Sequence, residues 1–154
     1  MKSILMVCLG NICRSPLAEG LLQYKIDKHN LDIKVDSAGT SGHHNGEKPD
    51  SRMISTAKKR GLDISYIRSR KFKNSDFKEF DFIYVMDDSN YNNVISLTDN
   101  LEDQKKVQRI LELVNSPITE VPDPYFGGES GFENVYNLLD EATNVIINKL
   151  KKGK

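Results

Sequence analysis

Ile4-Leu5-Met6-Val7-Cys8-Leu9-Gly10-Asn11-Ile12-Cys13-Arg14-Ser15-Pro16 runs from an apolar tetrad through a tight polar turn into a segment of helical character. The apolar run reads as a buried strand over about Ser3–Val7. Ser15 followed by Pro16 is a helix start, with Ser15 as N-cap and Pro16 at the first helical position. Glu19 then falls in the first turn, where negative charge suits the dipole, and the helix is expected to reach about His29. A strand that hands over directly to a helix leaves unpaired N–H groups and a positive dipole end at the junction, which is an anion site by construction. A thiol held in that field ionises readily.

Working outward, a short strand fits Ile33–Asp36, followed by a loop over Ser37–Pro49 rich in Gly, Ser and His. A second helix is predicted from Asp50 or Ser51 to a cap at Gly61, after Lys58-Lys59-Arg60. Asp81–Met86 reads as a buried strand, and a helix follows the polar run Asp87–Asn93 through about Leu97. Val107–Val114 fits a helical period, but its length and β-branched end favour a strand starting near Arg109. The loop Asn115–Gly131 carries three prolines and three glycines. Ser130-Gly131-Phe132-Glu133 is a capping box, opening a helix on which Phe132, Val135, Tyr136, Leu139, Ala142, Ile146 and Leu150 recur at helical spacing. Strands alternating with helices imply an α/β fold with a parallel sheet, helices on both faces and ligands beyond the carboxyl ends of the strands.

The chain has 154 residues, read as one domain over 1–154. Its 22 basic and 22 acidic residues balance, so no global field favours nucleic acid or an anionic membrane. No apolar run reaches transmembrane length, and the N-terminus lacks a signal-peptide pattern, so the expected location is the cytoplasm. Two cysteines, Cys8 and Cys13, are too few and too close for a disulfide scaffold. They lack the second Cys or His pair of a structural zinc site, and no metal or cofactor is expected.

Five residues separate Cys8 from Arg14, enough for a loop to wrap one tetrahedral anion. Backbone N–H groups from Leu9 to Arg14, through Gly10, Asn11, Ile12 and Cys13, form a concave nest. Gly10 permits positive φ, and Asn11 tolerates left-handed geometry while locking the loop with its side chain. Arg14 grips two oxygens at once, and Ser15 donates to the Cys8 sulfur. Cys8 is thus a candidate nucleophile toward phosphorus, forming a phosphocysteine. Cys13 is either small filler or a redox partner that captures an oxidised Cys8 as a disulfide. The leaving oxygen needs a proton, and Asp123, stiffened by Pro122 and Pro124, is the candidate acid and later base. Tyr125 and Phe126 wall the pocket.

These stretches, with Asp36-Ser37-Ala38-Gly39-Thr40-Ser41-Gly42, Met86-Asp87-Asp88-Ser89-Asn90 and Asp123-Pro124-Tyr125-Phe126-Gly127, resemble the low-molecular-weight protein tyrosine phosphatases over essentially the whole chain. The resemblance implies a four-stranded parallel sheet of flavodoxin-like order 2-1-3-4 and metal-independent hydrolysis of protein phosphotyrosine. Phosphate or vanadate would be site ligands, and the protein a monomer or weak dimer. It implies Cys8 as nucleophile, Arg14 as phosphate clamp and Asp123 as acid. It further implies Asn11, Ser15 and Ser37 as loop supports, and Leu9, His43, Tyr125 and Phe126 as substrate walls. Many relatives hold the loop Asn with a histidine. The matching stretch here is Ser65–Arg70, leaving Tyr66 or solvent for that task. His43 stands where relatives often carry a larger aromatic, and Phe126 replaces the second of a usual tyrosine pair, so regulation through that tyrosine should be absent.

Four rival readings stand beside it. An arsenate reductase of the same fold needs further cysteines, and none follows Cys13. Arginine phosphatases tend to carry Thr where Ile12 stands. A Cys-His hydrolase would use His43 or His44 but leaves Arg14 unexplained. A non-catalytic phosphopeptide binder leaves Cys8 and Asp123 idle.

Overall fold

The computed structural model describes residues 2–125 and 127–152. Strand β1 (Lys2–Cys8) lies inside a parallel sheet with β2 (Ile33–Gly39), β3 (Phe82–Val85) and β4 (Val107–Arg109), in the order β2-β1-β3-β4. Side chains alternate along a strand, so the unbroken apolar run Ile4–Val7 must be covered on both faces. Ile4, Met6 and Cys8 join one core cluster with α1 (Arg14–Lys28), α2 (Ser51–Lys59) and α6 (Glu129–Lys152). Leu5 and Val7 join the other, with Phe77 of α3 (Asp76–Glu79), Val94 of α4 (Asp88–Ile95), Phe72 and Phe80. Burying each of Ile4, Leu5, Met6 and Val7 contributes about 1.5–3 kcal/mol. The chain is a single α/β domain of the expected order.

Pairing moves several predicted boundaries. Register Met6↔Ser37, Val7↔Ala38 and Cys8↔Gly39 carries β2 three residues past Asp36, so Ser37 is strand, not loop. Helix α1 starts at Arg14 with Cys13 as N-cap, so Ser15 is not the cap and Pro16 sits at the third position, where its missing N–H is still harmless. Glu19 is therefore beyond the first turn. Strand β4 begins at Val107, not Arg109, and passes into a 3₁₀ turn over Ile110–Leu113, which is why both periods were present in that segment. A short α5 (Leu101–Lys105) precedes it.

Helix α6 begins at Glu129, one residue before the predicted capping box, and Glu133 accepts from Arg60 Nη2 instead. Its buried stripe holds Phe132, Val135, Tyr136, Leu139, Ala142 and Ile146, while Leu150 is partly buried. Helix α2 ends at Lys59, and Gly61 closes it as the predicted cap: Gly61 has φ 81, its N–H donates to Lys58 O and Leu62 N–H to Ala57 O. Among the described residues no helix is long and apolar enough to cross a membrane.

Candidate active site

The Leu9–Cys13 loop leaves the carboxyl end of β1 and returns into α1. Four of its carbonyls, and that of Cys8 before it, are drawn outward. Cys8 O accepts from Thr40 N–H, Leu9 O from Ser41 N–H, Gly10 O from Ser69 Oγ, Ile12 O from Asp50 N–H and Cys13 O from Leu17 N–H. A trans peptide sets N–H opposite C=O, so this outward anchoring turns the loop's amides inward. Asn11 N–H donates to Cys8 Sγ at 3.3 Å, and Ser15 Oγ lies 3.0 Å from the same sulfur. Gly39 lets the strand approach this closely, because a Cβ there would meet Leu9 O at 2.8 Å.

Asn11 (φ 57), rather than Gly10, takes the left-handed backbone. Three bonds hold it there. Its Nδ2 donates to Ser15 Oγ at 2.8 Å and Ser37 Oγ at 3.0 Å, and its Oδ1 accepts from Arg70 N–H at 3.0 Å. The Arg70 amide thus does what was expected of Tyr66 or solvent, and Tyr66 is exposed. At Gly10 the constraint is room, since a Cβ would meet His44 Cδ2 at 3.1 Å. Ser37 Oγ donates onward to Glu19 Oε1 at 2.6 Å. Burial, aided by the charge of Asp36, pushes the Glu19 carboxyl up to about 7 against the pull of Ser37 and Arg70.

Arg14 is buried. Its Nη1 donates to Asp87 Oδ2 at 2.7 Å and to Val121 O at 3.0 Å, and its Nη2 lies 3.8 Å from Asp123 Oδ2. Burial alone would lower its pKa, but Cys8, Asp87 and Asp123 outweigh that and leave it raised. Asp87 also caps α4 through Asn90 N–H, so one carboxylate ties Arg14 to the end of β3. Asp123 accepts from Tyr125 N–H at 3.0 Å.

A pocket of about 180 Å³ opens over the loop. Cys8, Leu9, Gly10, Ile12, Cys13 and Arg14 of the loop line it, together with His44, Asp123 and Tyr125. His44, not His43, stands on the wall; His43 is exposed in the same turn. Two adjacent residues in a turn face different ways, and only the turn's geometry chooses between them. Phe126 lies outside the described residues. Burial pushes the Cys13 thiol well up, with Asp50, Cys8 and Asp123 adding to the effect.

Sequence reasoning missed Glu19, Ser69 and the Arg70 amide as loop supports and Asp87 as the partner of Arg14. Asp87 carried a signal, since it follows a predicted strand at the carboxyl edge of the sheet. The Arg70 amide carried none, because a backbone donor has no side-chain signature. Among the described residues no group of three or more His, Cys, Asp and Glu side chains is placed to hold a metal ion.

A family model described as low molecular weight phosphotyrosine protein phosphatase matches residues 3–154. Proteins bearing that name from Schizosaccharomyces pombe and Homo sapiens are each 38% identical, over 148 and 154 residues. The first match covers 93% of this chain and 94% of the relative, the second 96% and 95%. The crystal structure of a protein tyrosine phosphatase from Entamoeba histolytica, with Hepes in its active site, superposes with a TM-score of 0.93 at 40% identity, covering 99% of each chain. With an amide-lined loop, a buried guanidinium and a carboxylate at one pocket, this chain belongs to the low molecular weight phosphotyrosine protein phosphatase family.

Proposed function

We propose that this protein hydrolyses phosphotyrosine in proteins by double displacement at Cys8. The phosphate dianion enters the nest of loop amides, and Arg14 Nη2 turns from Asp123 to a phosphate oxygen. The Cys8 thiolate attacks phosphorus in line. The P–S bond forms, the P–O bond to the ring breaks, and Asp123 gives its proton to the phenolate. Asp123, now a carboxylate, takes a proton from water as that water attacks phosphorus. The P–S bond breaks, phosphate leaves, and the thiolate is regenerated with Ser15 Oγ and Asn11 N–H as donors. Charge stabilisation by fixed dipoles is the main demand of phosphoryl transfer.

One observation carries this reading: Cys8, Arg14 and Asp123 line one pocket, with Asp123 Oδ2 3.8 Å from Arg14 Nη2. Leu9 and Tyr125 are among the lining residues and offer apolar surface to a phenyl ring. The test is hydrolysis of p-nitrophenyl phosphate without added metal, with vanadate as competitive inhibitor. Cys8→Ser should abolish it, and Asp123→Ala should keep substrate binding while lowering turnover of poor leaving groups on the order of 10²–10⁴-fold. Phosphotyrosine and phosphoarginine peptides assayed side by side decide the substrate class; preference for phosphoarginine would refute the tyrosine assignment.

A further inference from the structure

The acid loop and the nucleophile loop come from distant parts of the chain, and one surface side chain joins them. Arg52, at the second position of α2, donates from Nε to Asp50 Oδ1 at 3.0 Å and from Nη2 to Asp50 Oδ2 at 2.9 Å. The same Nη2 donates to Tyr125 O at 2.8 Å. Its Cζ lies 5.4 Å from the centroid of the Tyr125 ring and 4.7 Å from that of the Phe132 ring. Asp50 is the other half of the link, since its N–H donates to Ile12 O of the nucleophile loop at 2.7 Å. Tyr125 in turn fixes Asp123, through its N–H on Oδ1. The path therefore runs Ile12, Asp50, Arg52, Tyr125, Asp123, with a bidentate fork at its centre that no lysine can reproduce. The Asp50 carboxyl sits below the usual range, the Arg52 hydrogen bond being the largest cause.

We propose that Arg52 is a positioning residue that registers the Asp123 loop over the Cys8 nest, and so governs proton delivery to the leaving group without touching substrate. The inference rests on the phosphatase reading and goes beyond it. Its side chain is half exposed; Met53, Thr56 and Ala57 form the buried face of α2, and Arg52 reaches the core through the Phe132 ring. Losing it should leave the nest intact and let the acid loop drift, and a misplacement near 1 Å in such a group costs up to about 100-fold.

The experiment is a series of aryl phosphates, from 2,4-dinitrophenyl through p-nitrophenyl to phenyl, read as kcat/KM. Arg52→Ala should lower the phenyl value on the order of 10–100-fold and the dinitrophenyl value by less than about threefold, because only a poor leaving group needs the acid. Inhibition by inorganic phosphate and the iodoacetate alkylation rate of Cys8 should stay within about twofold, as both report the nest alone. In the double variant with Asp123→Ala, the phenyl value should match Asp123→Ala by itself, since Arg52 acts through that carboxyl. Arg52→Gln, which removes the second arm of the fork but keeps a polar side chain, guards against misfolding and should show the same steepened dependence. Equal losses across the series, additive loss in the double variant, or weakened phosphate binding would overturn the proposal. A wild-type protein inert toward every aryl phosphate would end the phosphatase reading and this inference together. An active wild type whose Arg52 variants keep its leaving-group dependence would end this inference only.

Discussion

At Cys8 and Cys13, two residues of one type in one loop have opposite environments. Cys8 Sγ has two hydrogen-bond donors within reach, while Cys13 is buried with its thiol pushed well up by desolvation. We expect peroxide to oxidise Cys8 first, with Cys13 the thiol that resolves it. Cys8 sulfenic acid and the Cys13 thiol would condense to a disulfide and water, which halts the climb to irreversible oxyacids. After a peroxide pulse, dithiothreitol should restore most activity to the wild type and little to Cys13→Ala. Equal, unrecoverable loss in both would show that Cys13 is only filler. Asn11 makes a related point. Its left-handed backbone is one that asparagine tolerates better than other side chains, and three hydrogen bonds fix it there.

Between elements, the joint of α1 with β2 has a pH dependence built in. Glu19 on α1 meets Ser37 on β2 in a part-buried contact, and its carboxyl is raised from 4.5 to about 7 by burial. A raised acid binds more protons in the folded state than in the unfolded state between those two values. Its stabilising contribution is thus complete below pH 4.5 and is lost as pH rises toward 7, by at most about 1.4 kcal/mol per pH unit. Glu19→Gln has no such proton to lose. Urea titrations of both proteins from pH 4.5 to 8 should show the variant gaining on the wild type as pH rises. A constant difference would mean that Glu19 does not titrate in that window. Salt bridges at the surface, such as Lys59 with Glu129, add little by comparison because solvent screens them.

Across the whole molecule, the sheet divides the core in two, and the pocket sits at the carboxyl edge where β1 and β3 end. Stability and chemistry are separable on this plan. Leu139, fully buried on α6, packs in the cluster behind the sheet. Leu139→Ala should lower the unfolding free energy by about 2–5 kcal/mol in urea while the folded fraction keeps its kcat/KM. A large loss of activity at unchanged stability would mean that α6 helps shape the pocket.

The order of strands and helices was legible because each buried strand needs an apolar run and each helix an apolar stripe, and both periods are written in the chain. The sequence also singled out Cys8, Arg14 and Asp123 as candidates by residue type and neighbours, and one pocket brings the three together. Local patterns could not decide what depends on distant chain segments meeting. Pairing with β1 prolonged β2 through Ser37 and Gly39, turn geometry brought His44 instead of His43 to the wall, and the Arg70 amide arrived from 59 residues away to hold Asn11. Such contacts reside in backbone donors and in approach distances, which leave no trace in residue type until the chain has closed on itself.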